Sequence, residues 1–118
     1  MVLLKTFSGK VAAITGAGSG IGRALALRLA RRGCHLALSD VNEESLAGTV
    51  EAARHTGVKV TGDRVDVADR DAVYGWADRA AGEHGKVNVI FNNAGVALGS
   101  TIEGGSYEDF EWLFGINF

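Results

Sequence analysis

Eight residues near the start of the chain, Thr15-Gly-Ala-Gly-Ser-Gly-Ile-Gly22, carry four glycines and lie between a short apolar run and a helical pattern. Such a turn opens a helix whose first N–H groups have no partner within it. Those donors and the positive end of the helix dipole suit an anion such as a pyrophosphate. The same glycines also serve a tight turn with close helix packing, which needs no ligand. Asp40 stands eighteen residues past Gly22 at the end of a second apolar run. There a carboxylate either accepts from sugar hydroxyls or begins a turn. Asn92-Asn93-Ala94-Gly95 closes a fourth apolar run. Side-chain amides can satisfy backbone groups where a strand stops, and a glycine admits a ligand close to the main chain.

The elements that must position these groups follow from periodicity. Lys10-Val-Ala-Ala-Ile-Thr15 is short and nearly all apolar, as a strand buried on both faces would be. Ile21, Ala24, Leu25 and Leu29 then repeat at helical spacing, with Arg23, Arg28, Arg31 and Arg32 pointing elsewhere and Gly33 as the stop. His35-Leu-Ala-Leu-Ser39 predicts a second strand. Asn42 caps a helix that has Glu43 and Glu44 in its first turn, Leu46, Val50 and Ala53 inside, and Gly57 at its end. A third strand is expected within 58–67. Asp69 caps a helix through Val73, Trp76, Ala77 and Ala80 that closes at Gly85, and Val87-Asn-Val-Ile-Phe91 is the fourth strand. Ser106-x-x-Asp109 reads as a capping box for a fourth helix, with Phe110, Leu113 and Phe114 on its inner face. Strict βαβαβαβα alternation implies an α/β fold: a parallel sheet covered on both sides and joined by right-handed crossovers.

Composition narrows the partners. The chain has 118 residues, 47% apolar and 22% charged, with a net charge of -2. That is enough apolar chain for one globular domain. The charge gives no broad attraction for nucleic acid or anionic lipid, and no run of Lys or Arg suggests a local one. No apolar stretch approaches the roughly 20 residues of a membrane span, so a cytoplasmic protein without a membrane partner is expected. Cys34 is the single cysteine, and neither it nor His35, His55 and His84 shows metal-ligand spacing. No metal is expected, and Cys34 reads as a buried, inert thiol.

The glycine spacing identifies a family. A G-x-G-x-x-G pattern fails at Ile21, and a P-loop fails for want of a lysine. Gly16-x-x-x-Gly20-x-Gly22 after Thr15 instead resembles the T-G-x-x-x-G-x-G turn of the short-chain dehydrogenase/reductase family. Asp40, the Asp66-Val67 pair and Asn92-Asn93-Ala94-Gly95 match further motifs of that family in the same order. The resemblance implies a Rossmann-type doubly wound sheet of strand order 3-2-1-4, with 1–118 as its first, cofactor-binding part. It implies dinucleotide contacts from Gly16, Ser19, Gly20, Ile21 and Gly22, from Asp40 to the ribose, from Asp66 and Val67 to the adenine, and from Asn93, Ala94 and Gly95. Asp66 has a second reading as a helix-entry residue beside the Asp69 cap. The acidic Asp40, with Ser19 and Val41 where NADP users often carry a cation, favours NAD over NADP.

The family transfers hydride between a nicotinamide and a secondary alcohol or ketone, using a serine, a Tyr-x-x-x-Lys pair and a helix asparagine. Asn117 falls on the core-facing side of the expected fourth helix, at the family's distance past Asn92–Gly95. It resembles the catalytic asparagine; an amide so placed could also simply bond a neighbouring carbonyl. Tyr74 is followed four residues later by Asp78, and Tyr107 by Glu111, so neither fits the Tyr-x-x-x-Lys pair. The expectation is the cofactor-binding part of an NAD-dependent oxidoreductase, inactive alone, whose complete enzyme acts on a small alcohol or carbonyl as a homo-oligomer. A non-catalytic dinucleotide-binding module and an interaction fragment are the alternatives.

Overall fold

The computed structural model describes residues 7–94. Four strands and three helices alternate: β1 (Val11–Thr15), α1 (Gly20–Arg31), β2 (His35–Asp40), α2 (Glu43–Arg54), β3 (Val60–Arg64), α3 (Arg70–His84) and β4 (Val89–Asn92). Gly95, the helix expected from Ser106 and Asn117 lie outside the described residues.

All strand pairs are parallel, in the order β3-β2-β1-β4 expected from the sequence. Each strand of such a sheet sends alternate side chains to opposite faces. Ala12, Ile14, Leu36, Leu38, Val60 and Val89 meet Ala26, Leu29 and Ala30 of α1 and Leu46, Val50 and Ala53 of α2. On the other face Ala13, Ala37 and Ile90 meet Val73, Trp76 and Ala80 of α3. Trp76 is fully buried because the facing positions Ala13 and Ala37 are small. Truncating such a side chain would cost about 3–5 kcal/mol.

The expected stops and caps form. At the end of α1, Gly33 has φ 82°. Its N–H donates to the Ala30 carbonyl at 3.0 Å and the Cys34 N–H to that of Leu29 at 3.1 Å, a Schellman motif. Asn42 Oδ1 accepts from the Ser45 N–H, and Asp69 Oδ1 from that of Ala72.

Three boundaries or faces differ from expectation. The buried face of α1 is Gly22, Ala26, Leu29 and Ala30, whereas Ile21 is 78% exposed and Ala24 also faces outward. The apolar pattern admits either rotation, and the close approach of Gly22 to β1 selects one. The third strand is shorter than the expected stretch: it ends at Arg64, after which Val65 keeps one backbone bond to Asp40 and Val65 and Val67 pack in the α3 cluster. The fourth begins two residues later than expected, with Asn88 bonding Val11 through both main chain and side chain.

Two buried groups give testable consequences. Burial pushes the Cys34 thiol up to about 11, partly offset by a hydrogen bond from the Ala12 backbone. At pH 8 it should stay unlabelled by a thiol reagent in the native protein and label fully in denaturant, read by mass spectrometry. His84 Nε2 lies 3.0 Å from Thr61 Oγ1. Its pKa is lowered from 6.5, first by burial, then by Lys59, with Glu83 opposing and His35 adding. The unfolded chain therefore binds the extra proton. This contribution to stability is full above the ordinary value and is lost as pH falls through the lowered folded value. Urea titrations from pH 7.5 to 5 should show stability falling, and His84→Gln should flatten that slope.

Candidate cofactor site

The glycines of the turn serve different physical needs. Gly16 and Gly20 have φ 63° and 56°, conformations that a side chain would strain. Gly22 has an ordinary φ, but a Cβ there would lie 2.1 Å from the Gly16 carbonyl oxygen and 2.7 Å from Asn93 Nδ2. It is glycine because α1 starts against the end of β1.

Ser19 precedes α1 in extended conformation and makes no side-chain cap bond, and the first turn holds no acidic residue. A Cβ at Gly20 would meet nothing within 4 Å. The helix thus presents its first N–H groups toward open space, with the exposed Ser19 and Ile21 on either side of Gly20. Uncapped donors, positive dipole and free room fit an anionic bridge such as a pyrophosphate.

Asp40 ends β2 and is anchored at both oxygens. Oδ2 accepts from the Gly18 N–H at 2.8 Å, and Oδ1 from the Asn42 N–H at 3.0 Å. An ionised carboxylate offers about four lone-pair sites, so acceptor capacity remains for sugar hydroxyls. Gly18 is the tightest point of this clasp: a Cβ there would lie 2.5 Å from Ser45 Oγ and 2.9 Å from Asp40 Oδ2. The spacing pattern does not single out Gly18 or Ser45. The only hint in the chain is one glycine more than the pattern requires.

Across the crevice, the end of β1 meets the end of β4. The Thr15 hydroxyl donates to Asn92 Oδ1 at 2.8 Å and accepts from the N–H groups of Asn93 at 3.0 Å and Ala94 at 3.2 Å. Asn93 Nδ2 donates to the Gly16 carbonyl at 3.2 Å. Asn93 and Ala94 are thereby brought against the glycine turn. Thr15 is the junction; the motif includes it as its leading threonine, but nothing in the sequence shows that its hydroxyl ties β1 to the chain after β4.

Asp66 is exposed, and its Oδ1 accepts from the Ala68 N–H at 2.9 Å, the turn role that was its second reading. It still lies at the same edge as Asp40, whose carbonyl accepts from the Val65 N–H at 3.1 Å. Val67 is half-buried against the α3 cluster. Among the described residues no group of His, Cys, Asp and Glu could hold a metal, and no helix is long and apolar enough to cross a membrane.

A family model described as short chain dehydrogenase matches residues 10–118. The chain belongs to the short-chain dehydrogenase family. A Mycobacterium tuberculosis protein that carries the name oxidoreductase SadH is 46% identical over 115 residues, which is 98% of this chain and 42% of SadH. An NAD-bound short-chain dehydrogenase/reductase from Burkholderia phymatum has a TM-score of 0.70 at 49% identity, over 72% of this chain and 30% of that one. NAD+-bound xylitol dehydrogenase also gives 0.70, at 41% identity, over 72% and 33%. This chain therefore spans less than half the length of these short-chain dehydrogenase relatives. Its βαβαβαβ order and 3-2-1-4 sheet are the Rossmann-type arrangement of the family.

Thr15 is the sharpest test of the crevice. Thr15→Val keeps the shape but leaves two backbone N–H groups without an acceptor. Chemical denaturation should show a loss of about 2–4 kcal/mol. Thr15→Ser, which retains the oxygen, should recover most of it.

Proposed function

We propose that this chain is the NAD-binding part of an oxidoreductase that moves hydride between NAD and a secondary alcohol or the matching ketone. The observation that carries this reading is the clasp of the glycine turn to Asp40 beside the uncapped start of α1. The family membership and the NAD bound in two similar structures support it.

The residues divide the binding work. The N–H groups of 20–22 and Ser19 would hold the pyrophosphate, Asp40 the adenosine ribose, and Asp66 and Val67 the adenine edge. Asn93, Ala94 and Gly95 would line the approach to the nicotinamide side. NAD, when bound, supplies the hydride acceptor. A phosphate on the 2′ oxygen would face the Asp40 carboxylate; two such charges about 4 Å apart repel by about 4 kcal/mol at an effective dielectric of 20. Neither Ser19 nor Val41 offers a compensating cation, so NADP is disfavoured.

Asn117 is assigned the proton-relay role of the family asparagine. The 118 residues contain no Tyr-x-x-x-Lys pair, so by themselves they would bind the dinucleotide without turning it over. Unassisted tyrosine titrates near 10 and is a poor acid–base at neutral pH without such a lysine. The complete enzyme is expected to be a cytoplasmic homo-oligomer acting on a small alcohol or carbonyl.

Titration calorimetry of the folded chain tests this reading. NADH should bind at least about tenfold more tightly than NADPH, and Asp40→Ala should narrow the ratio mainly by weakening NADH. A folded protein that binds neither, or prefers NADPH, would falsify the assignment. Turnover of an alcohol by pure protein of the 118-residue mass would refute the predicted inactivity. A dehydrogenase activity that appears only when a serine and a Tyr-x-x-x-Lys segment follow Phe118 would support it.

A further inference from the structure

Two helices carry the two ends of the proposed dinucleotide site. The N–H groups of 20–22 belong to the first turn of α1. The Asp40 carboxylate is held at Oδ1 by the N–H of Asn42, the cap of α2, and at Oδ2 by the N–H of Gly18. Ser45 of α2 presses on that same Gly18, where a Cβ would lie 2.5 Å from its Oγ. The gap between α1 and α2 therefore sets how far the anion donors stand from the carboxylate.

A chain of polar contacts spans that gap. Arg23 follows directly on the donor groups of α1, and its own N–H closes back on the Ser19 carbonyl at 3.3 Å. Its side chain leaves the helix sideways. Arg23 Nη1 donates to Thr49 Oγ1 of α2 at 3.1 Å, and the Thr49 hydroxyl donates in turn to the Ser45 carbonyl at 3.5 Å. Gly48 leaves room beside the guanidinium, since a Cβ there would already touch Nη1 at 3.8 Å. The start of α1 is thus joined through Arg23, Thr49 and Ser45 to the clasp of Gly18 and Asp40.

An arginine is a costly choice at this point. The start of a helix repels a cation. Arg23 is also half-buried, and no carboxylate among the described residues pairs with it. Packing of two helices would be served as well by an apolar side chain of similar length. What the guanidinium adds is reach and a planar set of donors. Its partner hydroxyl stands on the fully buried Thr49, where water competes least for the bond.

We infer that Arg23 and Thr49 are positioning residues for the dinucleotide: their bond braces α2 against α1 and fixes the spacing between the pyrophosphate donors and the ribose carboxylate. The inference rests on the proposed NAD site and adds to it two residues that act through others. A ligand that engages both ends gains fully from the second contact only when the spacing is held, whereas a ligand that engages one end does not depend on it.

The test compares ADP, which carries both ribose and phosphates, with adenosine, which reaches only the Asp40 end. Calorimetry with ADP and NMR titration with adenosine use the 118-residue chain. Thr49→Val removes the acceptor while keeping shape and charge. It should weaken ADP at least about fivefold and adenosine less than about twofold, with circular dichroism unchanged. Thr49→Ser should bind ADP as the unaltered chain does. Adding Thr49→Val to Arg23→Met should cause no further loss, because the two side chains form one bond. Should Thr49→Val not fold, Arg23→Met at about 0.5 M salt, where the lost charge is screened, makes the same comparison. Unchanged ADP affinity in folded Thr49→Val, or equal losses for ADP and adenosine, overturns the brace and leaves the NAD site standing. A folded, unaltered chain that binds neither NADH nor ADP overturns both.

Discussion

The approach of α1 to the end of β1 sets the geometry of the whole carboxyl end of the sheet. At Gly22 the helix backbone comes so near the Gly16 carbonyl that a methyl group would overlap it. That single contact determines the rotation of α1. With Gly22 inward, Ala26, Leu29 and Ala30 follow at helical spacing onto the sheet, and Ile21 is carried outward to the mouth of the crevice. The same contact aims the first turn of the helix, and with it the uncapped N–H groups, across the ends of the strands. A larger residue at 22 would therefore disturb core packing and anion geometry together.

Two polar clasps hold the crevice on either side of that helix. On one side the Thr15 hydroxyl uses its donor and both acceptor positions to tie β1 to the chain leaving β4. On the other, Asp40 holds the glycine turn at Gly18 and the entry to α2 at Asn42. In each case a side chain on a strand end satisfies backbone groups that the sheet has stopped pairing. Under the proposed function, binding groups and structural groups would be the same atoms: the carboxylate proposed for the ribose is also a strut of the turn proposed for the phosphates. A site built this way is organised before ligand arrives, which reduces the ordering cost of binding.

The two ends of the sheet differ in charge. Asp40, Glu43, Glu44, Asp66, Asp69 and Asp71 cluster where helices begin, and most of the cations where helices end. Parallel topology aligns all the helices in one direction, so preferences that are local to each helix add up across the fold.

Much of this was legible in the order of residues. The alternation of apolar runs and helical stripes, the caps at Asn42 and Asp69, and the glycine stops at 33 and 85 depend on neighbours within about a turn, so the chain itself specified them. Four motifs in family order likewise marked Gly16, Gly20, Gly22, Asp40 and Asn93. Other features arose only from contacts between distant segments. These include the inward face of α1, the junction at Thr15, the crowding of Gly18 by Ser45 and the bond from Arg23 to Thr49. Periodicity carries no information about which residue meets which across the 27 positions from Gly18 to Ser45 or the 77 from Thr15 to Asn92. Those pairings were decided when the sheet assembled, because the register of parallel strands brings their ends together whatever their separation in sequence.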